Sequence, residues 1–171
     1  PPRGAMAGPG FPYPMHDIRF NLFPDGRPRA VALSYDDGRE DDRRLVDILN
    51  RHGLRGSFHL NSGLLGREGY VRADEVRGLY DGHEVACHTV SHPRLTLLPL
   101  DEIVQEVSRD RHNLEQLVGY PVRGMSYPCG GNNHDQRVAA VLPGLGIAYA
   151  RTLCNEREFR VPHDPYRWWS T

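Results

Sequence analysis

The sequence predicts an α/β domain with parallel strands, and three observations lead there. Short apolar runs alternate with segments of helical spacing along the 171 residues. No internal repeat or low-complexity tract interrupts the alternation. The polar clusters fall just after strands, the edge where α/β barrels and open α/β sheets gather their active sites.

The opening residues 1–16, rich in Pro and Gly, read as a flexible lead or cloning remnant, and residues 17–171 as a single domain. Asp17 to Phe23 is expected as a strand, turned by Pro24-Asp25-Gly26 so that Ala30 to Tyr35 returns as a hairpin partner. Asp41 to His52 carries Leu45, Val46, Ile48 and Leu49 at helical spacing and stops at Gly53. Gly56 to Asn61 is the next strand, Arg72 to Tyr80 a short helix and His83 to Cys87 a strand. Asp101 to Val118 is the clearest helix. Ile103, Val104, Val107, Leu114, Leu117 and Val118 make its apolar face, and Gly119 ends it. Val122 to Tyr127 reads as a strand, His134 to Leu142 as a helix, Gly146 to Arg151 as a strand and Phe159 to Val161 as a last short strand.

Composition narrows the function classes. A chain of this length buries about 70% of its unfolded surface, so it needs no disulfide staple. The formal charge of -1 gives no electrostatic case for nucleic acid. All 21 basic residues are Arg, from which no function follows. Cys87, Cys129 and Cys154 form no CxxC pair, which argues against a zinc finger or disulfide framework. Free thiols and the lack of a visible signal peptide point to the cytoplasm. No apolar run suits a membrane span, and oligomeric state is not legible.

The chemistry lies in two pairs. Asp36-Asp37 follows the apolar run Ala30 to Tyr35, and Gly38 lets the chain turn away. His88 and His92 follow the strand ending at Cys87. A single helical turn there sets their Cβ atoms about 5–6 Å apart. One carboxylate and two imidazoles are a ligand set for a divalent cation, with a second carboxylate left as a base. Each pair alone has a plainer reading. Asp-Asp-Gly after a strand is ordinarily a turn or helix cap, and an isolated pair of histidines is ordinarily structural. Their order and placement together favour the metal. Cys129 reads as an inert thiol rather than a nucleophile. His59 and Asn61 share one strand face, which fits a pocket lining and simple alternation equally well. Trp168 and Trp169 fit core or sugar platform.

These residues resemble the NodB-like polysaccharide deacetylase family, carbohydrate esterase family four. Ser34-Tyr35-Asp36-Asp37-Gly38 is similar to its TFDDG motif. His88-Thr89-Val90-Ser91-His92 is similar to its two-histidine motif. The resemblance implies a distorted, incomplete (β/α) barrel. It also implies a metal-dependent hydrolase that removes acetyl groups from an acetylated sugar or polysaccharide, N-acetylglucosamine-type substrates being favoured. Asp36 would be the base. Asp37, His88 and His92 would hold the metal, most readily Zn2+, with Co2+, Ni2+ or Mn2+ as alternatives.

The third motif matches in part, as Ser126-Tyr127-Pro128-Cys129-Gly130. Ser126 stands where the family has an Arg that orients the base. Arg151 is the expected substitute, with Asp164 holding it. Cys129 would offer its backbone N–H to an oxyanion. Tyr127, Pro128, Gly130 and Trp168 would line the sugar site. The family's C-terminal histidine acid has no counterpart before Thr171, which implies a domain lacking its C-terminal end and leaves His134 and His163 as candidates. Two other readings stay open: hydrolysis of a small non-sugar amide, and carbohydrate binding without turnover.

Overall fold

The computed structural model describes residue 23, residues 26–155 and residues 160–170. The lead, most of the expected 17–23 strand and the Phe159 end of the last expected strand lie outside the described residues. The chain divides into two compact units, Pro1–Val31 and Ala32–Thr171. In the first, the Phe23 N–H donates to the Arg27 carbonyl at 2.9 Å, forming an isolated antiparallel bridge.

The second unit is a curled half-barrel with helices on its outer face. Its strands are β1 (Leu33–Asp37), β2 (Gly56–Leu60), β3 (Glu84–Cys87), β4 (Gly124–Ser126), β5 (Tyr149–Asn155) and β6 (Trp168–Ser170). Among the described residues these six strands form one sheet in the order β1-β2-β3-β4-β5-β6, and every neighbouring pair is parallel. The helices are α1 (Asp42–Arg51), α2 (Val76–Leu79), α3 (Leu100–Val118) and α4 (Gln136–Val141).

Strand alternation divides the sheet into two chemistries. Phe58, Leu60, Val85, Cys87 and Met125 belong to the apolar core, which they share with Val46 and Leu49 of α1, Val76 of α2 and Ile103, Val107 and Leu114 of α3. Full burial of each such aliphatic or aromatic side chain stabilises the fold by about 1.5–3 kcal/mol. The alternate positions carry polar groups that bond to one another. Ser57 Oγ and the Tyr149 hydroxyl both donate to Glu84 Oε2, at 2.5 and 2.8 Å. Gly124 makes room for that tyrosine, because a Cβ there would collide with its hydroxyl oxygen.

Several expectations need correction. β1 starts at Leu33 and runs through both aspartates, pairing in parallel with β2, while the strand and turn expected to form a hairpin with it lie mostly outside the described residues. The 72–80 segment begins with a 3-10 turn, Ala73–Glu75, before the four residues of α2. α4 starts at Gln136 rather than His134, because Asp135 caps it by accepting the Val138 N–H. β5 begins later than expected and continues to Asn155, so Arg151 lies inside it rather than at its end. Arg160 and Val161 are not in a strand; the last strand is β6, formed by the two tryptophans and Ser170. Gly119 does end α3, at φ 80° with its N–H on the Glu115 carbonyl.

Candidate active site

The parallel register brings the sheet's polar ends to one edge. β1 ends at Asp36-Asp37, β3 ends at Cys87 just before His88, and β4 ends at Ser126. Asp37 Oδ1 lies 3.4 Å from His88 Nε2 and 3.4 Å from His92 Nε2. Tetrahedral ligands at about 2.1 Å from a common ion lie roughly 3.4 Å apart. The three residues therefore form a group able to hold a divalent cation. The His88 hydrogen bond holds the Asp37 carboxyl below the usual carboxylate range. Burial, aided by the charge of His88, pushes the His92 imidazole down, which favours the neutral form that a metal requires.

The tautomer of His88 follows from its surroundings. Its Nδ1 lies 2.9 Å from the Ser126 carbonyl, which can only accept, so Nδ1 carries the proton and Nε2 faces Asp37. Ser126 Oγ lies 2.7 Å from the same nitrogen and donates to Asp36 Oδ1 at 2.9 Å. One hydroxyl thus links a metal-ligand candidate to the second aspartate.

Asp36 is held on several sides. Arg151 Nη2 reaches both carboxylate oxygens at 2.5 Å. His59, paired with Asp36 in the β1–β2 register, places Nδ1 3.4 Å from Oδ1. Burial alone would raise the Asp36 carboxyl. The His59 hydrogen bond, the charge of His88 and the Arg151 guanidinium outweigh it and hold the group far below the ordinary range. Asp164 does not hold Arg151 as expected. It accepts the Tyr166 N–H and caps the 3-10 turn Pro165–Arg167, while Arg151 also donates to the Thr152 carbonyl.

Cys129 directs its N–H toward His92 Nε2 at 3.5 Å from a left-handed backbone, φ 64°. Asn133 fixes this loop by donating to the carbonyls of Tyr127 and Cys129, and Arg94 donates to the Gly130 carbonyl. Tyr127 is 1% exposed and its hydroxyl donates to the Tyr166 carbonyl. Its side chain is therefore a core element, not a pocket wall. Pro128 is buried beside it, and Gly130 is exposed. Trp168 is partly exposed and pairs with Arg151 in the β5–β6 register. His134 stacks on Tyr127, and His163 is exposed.

The His88–His92 segment is a loop rather than the expected helical turn, with φ 70° at Thr89 and 60° at His92. Asp37, Thr89, His92 and Cys129 are the positive-φ non-glycine residues among those described, and all four sit at this site. Sequence reasoning missed Ser126 and Asp110. Asp110 is fully buried in α3, and burial raises its carboxyl to about 6 although it accepts the backbone N–H groups of Ser62 and His88. The available signal was a carboxylate on the apolar stripe of α3, in line with Ile103, Val107 and Leu114.

Comparison with known proteins follows the same lines. A family model described as polysaccharide deacetylase matches residues 24–150. A peptidoglycan-N-acetylmuramic acid deacetylase from Bacillus subtilis is 29% identical over 115 residues, covering 66% of this chain and 24% of that protein. A chitin deacetylase from Amylomyces rouxii is 28% identical over 133 residues, covering 77% of this chain and 30% of that protein. The chain thus spans between a fifth and a third of the length of such relatives. Among solved structures, a Streptococcus pyogenes deacetylase in complex with acetate superposes with a TM-score of 0.71 at 20% identity, covering 78% of this chain and 59% of that one. A family pseudoenzyme from Bacillus anthracis gives 0.60 at 18% identity, covering 72% and 43%.

Proposed function

The chain belongs to the polysaccharide deacetylase family, and from that premise we propose that it is a metal-dependent hydrolase. Its substrate would be an acetylated sugar polymer of the N-acetylglucosamine type, and residues 17–171 would be its catalytic domain. The observation that carries this reading is the meeting of Asp37, His88 and His92, with Asp36 beside them and locked by Arg151.

Asp37, His88 and His92 would hold the cation, and the one-carboxylate, two-imidazole donor set favours Zn2+. Such an ion would make a bound water acidic enough to ionise near neutral pH and would polarise a carbonyl oxygen. Asp36 is the base that accepts the water's proton. Arg151, Ser126 and His59 all meet Oδ1, while Oδ2 has only the Arg151 contact among the described residues and is the oxygen assigned here to the water. The guanidinium keeps Asp36 ionised and aimed. The Cys129 N–H donates to the oxygen that gains charge as the acetyl carbonyl becomes tetrahedral.

The test is acetate release from a panel of N-acetylated chitooligosaccharides and peptidoglycan fragments, with zinc supplied. Release by the parent protein and its loss in Asp36→Asn support the reading. Equal release by both removes Asp36 as base. A second reading, carbohydrate binding without turnover, draws on the tightness with which Asp36 is held, because a carboxylate so acidified is a weak base. Oligosaccharide binding without acetate release would favour it.

A further inference from the structure

The loop bearing the two histidines is strained and yet bonded at almost every step. Thr89 is β-branched and holds φ 70°, a conformation that such residues rarely adopt. Its hydroxyl has no partner among the described residues, so its own side chain does not support that geometry. Support comes from outside the loop. Asn61, fully buried just after β2, donates from Nδ2 to the carbonyls of both His88 and Thr89, at 2.5 and 3.0 Å. The nitrogen assignment follows from the partners, since the amide oxygen would face two acceptors. Asp110 accepts the His88 N–H at 2.9 Å. Gly63 donates to the Val90 carbonyl at 3.0 Å, and a Cβ on Gly63 would lie 2.7 Å from that oxygen.

We infer that Asn61 is a positioning residue for the metal site: it clamps the peptides on both sides of the Thr89 Cα in the left-handed turn that brings His92 back toward His88 and Asp37. Without the clamp, Thr89 relaxes to negative φ and His92 leaves the ligand group. This inference rests on the metal reading above. It adds that the ligand geometry is set by a buried amide outside the motif.

The experiment is a zinc titration of the full chain, with zinc ion alone as ligand and circular dichroism as a check of the fold. Asn61→Ala is expected to weaken zinc binding about 10- to 100-fold, the usual effect of losing a group that orients a metal ligand. Glycine adopts positive φ without strain. Thr89→Gly is therefore expected to restore most of the lost affinity in the Asn61→Ala background and to change the parent by less than about threefold. A purely structural role for Asn61 would not be rescued by a change at Thr89. Should Asn61→Ala fail to fold, the Asn61→Ala/Thr89→Gly protein is expected to fold and bind zinc, and a double variant as unfolded as the single one overturns the inference. So does parent-like zinc affinity in Asn61→Ala, or a deficit that Thr89→Gly leaves in place. A parent protein that binds no zinc overturns the metal reading and this inference together, whereas a zinc-binding parent with an unaffected Asn61→Ala overturns this inference alone.

Discussion

Arg151 on β5 and Asp36 on β1 meet across the open mouth of the half-barrel, one guanidinium nitrogen reaching both carboxylate oxygens at 2.5 Å. The pair joins two of the sheet's more distant strands and does at the site what Ser126 has no charge to do. Replacing Arg151 by Met removes the cation and keeps much of the stem. Acetate release is expected to fall by about 10²-fold or more, the scale on which a positioned base contributes, while zinc affinity stays near the parent value. Steady-state kinetics beside a zinc titration check both halves.

Ser126 divides its contacts between the two functions, and its substitution separates them. In Ser126→Ala the main-chain carbonyl still holds His88 Nδ1, but the hydroxyl donated to Asp36 is gone. Turnover is expected to drop about 10- to 100-fold, the scale set by one hydrogen bond to a charged group, with zinc affinity changed far less. An equal loss in both quantities would place the serine's role at the metal instead.

Asp42 supplies a pH dependence away from the ligands. It is 6% exposed and accepts a hydrogen bond from the Tyr80 hydroxyl at 2.6 Å, yet burial raises its carboxyl to about 6. The folded state therefore holds this proton more tightly than the unfolded chain, whose carboxyl titrates near about 3.9. Its contribution is full below about pH 4 and is lost as pH rises through about 6. Asp42→Asn keeps an acceptor for Tyr80 and removes the titration. Its stability relative to the parent is expected to rise between about pH 4 and pH 7 by on the order of 1–3 kcal/mol. Urea unfolding at both pH values measures this.

The site's outline was legible because its ligands follow strands directly. Asp36-Asp37 sits at the end of an apolar run, and His88 and His92 follow another. Strand alternation also put His59 and Asn61 on one face, but only the structure separates their roles, beside Asp36 and on the His88 loop respectively. The left-handed turn at Thr89 was hidden because nothing in a threonine announces positive φ. Arg151 was reachable by asking which cation replaces the one missing at Ser126, whereas Asp164 was not its partner because a nearer backbone N–H captured it. β6 escaped because a three-residue strand entered from a 3-10 turn carries no periodicity.

One cation shared by Asp37, His88 and His92 underlies every step proposed for this chain. Zinc titration of the metal-free chain, followed by calorimetry, tests it most directly. One zinc ion per chain is expected, falling below detection in Asp37→Ala and in His92→Ala with the fold intact. A parent that takes up no zinc, or variants that bind it as tightly as the parent, would contradict the account.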